Sequence, residues 1–226
     1  MIKLLIYDLD GTLIDSCRDI ANAVNWTLKE IGLHELSLEQ ISSFVGRGVT
    51  NLMTGVLKEA LKYEKTSDCE PQIGELIERS IKLYRTYYAK HLLDETKLYP
   101  SVRVVLEHFK DRKQAVITNK PEGFSNEILR GLKIDSYFFK VIGGDQQLPK
   151  KPAPEPVLEI VKFAQVDLNE TVLIGDSAID VETGRNAKVR TIAVTYGFSS
   201  PEEIERSKPD MVVNDFAELM KSTLLG

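Results

Sequence analysis

The chain has 226 residues, of which 42% are hydrophobic and 28% charged, an ordinary globular composition with room for one large domain or for a domain and a smaller companion. A net charge of -5 speaks against a nucleic-acid partner, which would call for a basic stripe, and leaves any anionic ligand in need of a local cation. No apolar run approaches the roughly 20 residues that cross a bilayer, so no membrane partner is expected. Cys17 and Cys69 lie far apart and outside any metal-ligand pattern. They imply no disulfide framework and suit a reducing, cytoplasmic setting.

Leu4-Leu5-Ile6-Tyr7 is the first predicted strand, and Asp8 ends it. The apolar stretch from Met1 is too short for a signal peptide. Ser16 can cap a helix with Asp19 in its first turn; Ile20, Ala23, Val24, Leu28 and Ile31 make its apolar stripe, and Gly32 stops it. Ser37 to Phe44, Val49 to Tyr63 and Ile73 to His91 are expected to be helical, with Trp26, Tyr84, Tyr87 and Tyr88 as packing residues. Ser101 to Phe109 is a further helix, followed by strands at Ala115-Val116-Ile117, Val141-Ile142, Val172-Leu173-Ile174, Thr191 to Val194 and Met211-Val212-Val213. Continuous apolar, β-branched runs alternating with helices predict an α/β fold with a doubly wound, Rossmann-like parallel sheet. Roughly 100 residues between the first two strands exceed one crossover helix, so a helical domain is expected to be inserted there. The expected division is a core of residues 1–15 and 97–226 and a helical cap of residues 16–96.

Open α/β sheets bind ligands at the carboxyl ends of their strands. Those ends carry Asp8-Leu9-Asp10-Gly11-Thr12, Thr118-Asn119, Gly143-Gly144-Asp145 followed by Lys150-Lys151-Pro152, and Gly175-Asp176-Ser177-Ala178-Ile179-Asp180. Asp8, Asp10, Asp176 and Asp180 gathered at one edge would repel one another without a cation. Oxygen ligands beside a phosphate suit Mg2+, and Lys151 can add a compact second charge. Gly11 removes a side chain where backbone N–H groups would approach a phosphate oxygen. His34, His91 and His108 lie away from every motif and are read as structural or exposed.

The Asp-x-Asp-Gly-Thr motif, the Thr-Asn pair, the lysine and Gly-Asp-x-x-x-Asp, in this order, resemble the haloacid dehalogenase superfamily. The helical insertion is similar to that superfamily's cap of the first class. Thr118-Asn119-Lys120-Pro121, Gly143-Gly144-Asp145, Lys150-Lys151-Pro152-Ala153-Pro154-Glu155-Pro156 and Phe44-Val45-Gly46-Arg47-Gly48 resemble phosphoglycolate phosphatases. The resemblance implies that Asp8 attacks phosphorus and forms an aspartyl phosphate, while Asp10 acts as general acid and then base. It implies Mg2+ held by the Asp8 and Asp176 carboxylates and the Asp10 carbonyl, with Asp180 beside the metal or orienting water or Lys151. Thr118 and the Asn119 N–H would bind phosphoryl oxygens, with Gly11 and Thr12 also on the substrate side. Arg47 would meet the carboxylate of a small phosphate ester such as 2-phosphoglycolate.

Five other functions compete, one of them a pure binding module that has lost activity, which is disfavoured because no catalytic position is replaced. A dehalogenase needs neither Asp10 nor the Gly175-Asp176 motif. A phosphomutase fits Thr118-Asn119-Lys120 less well. An inorganic pyrophosphatase shares the motifs. A phospho-Asp receiver domain is about half this length, carries its acceptor after a middle strand and has no place for the insertion. Oligomeric state is not encoded legibly.

Overall fold

A computed structural model describes residues 1–63 and 73–226; Cys69 lies outside them. The chain divides into two compact units, Met1–Asp15 with Lys97–Gly226, and Ser16–Thr96.

The elements in chain order are β1 (Leu4–Tyr7), β2 (Ile14–Asp15), α1 (Cys17–Glu30), α2 (Leu38–Ser42), α3 (Val49–Leu61), α4 (Ile73–Tyr88), β3 (Lys97–Leu98), α5 (Val102–His108), β4 (Lys113–Ile117), α6 (Glu122–Gly131), β5 (Lys140–Ile142), α7 (Glu155–Ala164), β6 (Thr171–Gly175), α8 (Ala178–Ala187), β7 (Arg190–Val194), α9 (Pro201–Ser207) and β8 (Met211–Val213). In the larger unit a parallel sheet runs β5-β4-β1-β6-β7-β8, and β2 pairs with β3 antiparallel where the chain leaves for the helical unit and returns. The central strands are buried on both faces, because every residue of β1 and β6 is apolar or small. Leu4 and Ile6 join Ala115, Ile117, Val157, Ile160 and Leu173 in one core layer. On the other face Tyr7 packs on Phe138 and Phe216, with ring centroids 6.1 and 6.0 Å away. Its hydroxyl donates to Gln114 Oε1 at 3.0 Å, and Gln114 Nε2 donates to the Leu106 carbonyl at 3.0 Å. A buried amide therefore occupies a strand position next to the predicted apolar run, satisfied on both sides as burial demands.

In the helical unit α4 packs on α1 and α3. Ile20, Ala23, Val24 and Leu28 of α1 are buried, as are Leu52, Met53, Val56 and Leu57 of α3 and Tyr84 and Tyr88 of α4. Trp26 stacks on Tyr87 at 4.8 Å, and Tyr84 on Tyr88 at 5.3 Å. His91 stacks on Tyr87 at 4.1 Å and meets Asp94 at 2.7 Å, a structural role. Two expectations change in detail. Ser16 occupies the N-cap of α1 but makes no side-chain cap bond. Asp19 is in the first turn yet fully buried, accepting the Glu95 and Thr96 N–H groups and the Thr96 hydroxyl at 2.6 to 3.1 Å. It ties the start of the insert to its end. Among the described residues no helix is long and apolar enough to cross a membrane.

Candidate active site

Because the sheet is parallel, its strands deliver their carboxyl ends to one edge. Tyr7 lies in register with Val116 of β4 and Ile174 of β6, so Asp8 one residue on, and Thr118 and Asp176 two residues on, leave the sheet at the same edge. The Asp8 N–H still donates to the Ile174 carbonyl at 2.9 Å, and the Thr118 N–H to the Ile142 carbonyl at 3.0 Å. Backbone pairing thus fixes both residues before their side chains act.

Carboxylate oxygens of Asp8, Asp176 and Asp180 lie within 4.8 Å of one another, and all three residues are buried. Lys151, buried as well, places Nζ 2.8 Å from Asp8 Oδ1 and 2.6 Å from Asp180 Oδ1. Its neighbour Lys150 is exposed. Asp180 Oδ2 closes the N-terminal capping box of α8, accepting the Ser177 hydroxyl at 2.5 Å and the Ser177 N–H at 3.1 Å. Asp176 accepts the Thr12 hydroxyl at 3.1 Å and the Phe198 N–H at 2.8 Å. Burial pushes Asp8 up to about 7, with the neighbouring Asp180 charge adding to it and Lys151 opposing. Asp176 is likewise pushed well above the carboxylate range by burial and then by Asp180 and Asp8. Burial works against the Lys151 ammonium, but Asp180 and Asp8 outweigh it and raise its pKa. One lysine among three buried carboxylates leaves a deficit of positive charge. The all-oxygen donor set therefore fits a hard divalent cation, and a compact one such as Mg2+ matches the small number of carboxylates.

Asp10 faces a different partner. Its carboxylate is gripped by Lys120 Nζ at 2.8 and 3.1 Å, and Lys120 is itself buried. The Lys120 N–H donates to Thr118 Oγ1 at 3.2 Å, and its carbonyl accepts the Gly144 N–H at 2.8 Å.

Residues 5–194 match the pattern of the family described as haloacid dehalogenase-like hydrolase. The chain belongs to that family. It is 35% identical, over 98% of its length, to the phosphoglycolate phosphatase of Pseudomonas savastanoi pv. phaseolicola, of which the match covers 80%. It is 32% identical to the phosphoglycolate phosphatase of Aquifex aeolicus, covering 97% of this chain and 95% of that one. The crystal structure of a predicted phosphoglycolate phosphatase from Haemophilus somnus superposes with a TM-score of 0.91 at 30% identity, covering 97% of each chain.

Within this haloacid dehalogenase-like hydrolase, several of the residues expected on the substrate side also have partners inside the protein. Thr12, expected on the substrate side, is fully buried and spends its hydroxyl on Asp176. Gly11 has φ +86°, and a Cβ there would meet the Asp176 carboxylate at 2.3 Å. Its lack of a side chain makes room for that carboxylate, and its N–H is taken by the Ile14 carbonyl at 2.9 Å. The Asn119 side chain clasps the backbone of Lys151 in both directions, at 3.0 and 3.2 Å, so it positions the lysine. Arg47 belongs to the helical unit, is exposed, and precedes α3, where its carbonyl accepts Asn51 Nδ2 at 2.9 Å. Lys120 was given no role from sequence. Its signal was present in Thr-Asn-Lys-Pro, a lysine two residues past a strand end that already carries a site hydroxyl.

Proposed function

We propose that the protein is a Mg2+-dependent phosphatase of small phosphate esters, working through an aspartyl phosphate on Asp8, with 2-phosphoglycolate as its foremost substrate. The observation that carries the reading is Asp8 at the end of β1, bonded to Lys151 and within 4.8 Å of Asp176 and Asp180. The names of the relatives support the substrate, and the oxygen-only donor set supports the metal.

In this reading an Asp8 oxygen attacks phosphorus and the bond from phosphorus to the leaving alcohol oxygen breaks. Asp10 gives that oxygen a proton. Water then attacks the aspartyl phosphate, Asp10 takes its proton, and orthophosphate leaves with Asp8 restored. Lys151 offsets charge on the nucleophile and the transferring group, while Thr118 and the Asn119 N–H orient phosphoryl oxygens. Mg2+ would be held by the Asp8 and Asp176 carboxylates and the Asp10 carbonyl, with Asp180 alongside, and would supply charge neutralisation at the phosphoryl oxygens. The helical unit would be the specificity-setting cap, and Arg47 is assigned to the substrate's carboxylate on sequence grounds.

The test is phosphate release from a panel of small phosphoesters and pyrophosphate, with Mg2+ and again with EDTA. Release is expected from 2-phosphoglycolate among the best substrates, and EDTA is expected to abolish it. Release from pyrophosphate alone would move the assignment to a pyrophosphatase, and full activity after exhaustive chelation would remove the metal.

A further inference from the structure

The outer face of α7 carries large apolar side chains where solvent calls for polar ones. Val157, Ile160, Val161 and Ala164 are buried in the core layer of the sheet. The opposite face presents Leu158, Glu159, Lys162 and Phe163, which together line one open groove. Leu158 is 41% exposed and Phe163 64%. Phe163 is held in place from the side. Its ring lies parallel to that of Phe139, with centroids 5.9 Å apart, and Lys140 Nζ stands 5.8 Å from its centroid. Phe139 is exposed too, and the strand it leads into, β5, is an edge of the sheet. A contiguous apolar patch rimmed by charge marks an interaction surface. An aromatic anchor already fixed in place has little freedom to lose on binding.

The charges decide what fits this face. With about 3.6 residues per turn, Leu158 and Phe163 stand at the two ends of a diagonal across it, with Glu159 on one side and Lys162 on the other. A two-fold axis lying in the surface along that diagonal turns Leu158 onto the partner's Leu158 and Phe163 onto the partner's Phe163. The same axis turns Glu159 onto the partner's Lys162, and Lys162 onto the partner's Glu159. The patch is therefore complementary to itself, as an isologous contact requires. An anionic membrane would instead call for bases alone. We propose that this face of α7, with Phe139 beside it, is the interface of a two-fold dimer of the chain. The patch is small, so the dimer is weak and reversible. None of these residues belongs to the candidate active site, and the inference stands apart from the proposed function.

Sedimentation equilibrium of the full chain from about 1 µM to about 1 mM tests this, the range in which a small interface exchanges. The wild type is expected to pass reversibly from monomer to dimer. Phe163→Asp is expected to raise the dissociation constant by about 30-fold or more, the scale of a buried aromatic anchor. Glu159→Lys sets bases against bases across the axis, and Lys162→Glu sets acids against acids. Each is expected to raise the dissociation constant by about tenfold or more. Mixed in equal amounts, these two variants regain both opposite-charge pairs, so a mixed dimer of about wild-type affinity is expected. Such recovery also shows that both variants are folded. The double variant Glu159→Lys/Lys162→Glu is expected to recover alone. A wild type that stays monomeric throughout would overturn the inference whatever the variants do. So would a dimer indifferent to these substitutions, or charge variants that stay apart when mixed and when combined in one chain.

Discussion

At the scale of single residues, the site is built by dividing four carboxylates among three sets of neighbours. Asp8 and Asp180 share Lys151, Asp176 takes Thr12 and the Phe198 N–H, and Asp10 takes Lys120. The division predicts distinct losses. Asp10→Asn should lower kcat by about 100-fold or more, the scale of general acid–base catalysis, with the metal affinity much less affected. Thr12→Val removes the hydroxyl that aims Asp176, and should weaken Mg2+ binding by about 10- to 100-fold, read directly by titration calorimetry. Unchanged affinity in that variant would show that Asp176 needs no such support. The types and order of these residues were legible in the sequence, because each motif follows a strand end. Their internal bonding was not. That Gly11 makes way for the Asp176 carboxylate, and that Thr12 turns inward, depends on a loop closing against residues more than a hundred positions away.

At the scale of elements, strands were easier to find than the devices that anchor the helices. The runs at Leu4, Val172 and Ile192 are apolar throughout, so burial on both faces left little choice of conformation. Gln114 beside an apolar run and Asp19 in a helix's first turn carried no such signal. Their partners, Tyr7 and the Glu95–Thr96 backbone, are distant in sequence. Asp19→Ala removes a buried acceptor from three donors and should cost about 3 kcal/mol, since bonds to a charged group are worth about 1.5–3 kcal/mol and the donors stay buried. Denaturant titration reads the total. Hydrogen exchange should accelerate at Glu95 and Thr96 while the amides of β1 and β6 stay protected; uniform acceleration would mean that Asp19 supports the whole fold instead.

At the scale of the whole molecule, an excess of buried carboxylate makes stability depend on pH and on cation. Asp8 stands at about 7 in the folded protein against 3.8 for the free side chain, with burial as the leading cause. A carboxyl with a raised folded value binds its proton more tightly in the native state. Its contribution is therefore present below about 4 and is lost as pH rises through about 7. Asp176 shifts in the same direction. The protein stripped of metal should lose stability across that window, and Mg2+ should raise Tm more at pH 8 than at pH 5, because the cation meets carboxylates that are then ionised. Thermal melts at both values, with Mg2+ and with EDTA, check this; an equal increment at both would mean that the carboxylates are not the binding groups.

The claim on which the rest depends is that Asp8 becomes phosphorylated during turnover. Acid quenching of the Asp10→Asn variant during turnover of 2-phosphoglycolate, followed by mass spectrometry of its peptides, tests this most directly. The account predicts one added phosphoryl group on the peptide containing Asp8, and none when Asp8 is also changed to Asn. Continued phosphate release by Asp8→Asn at a rate near wild type, with no phosphorylated peptide at any time, would contradict it.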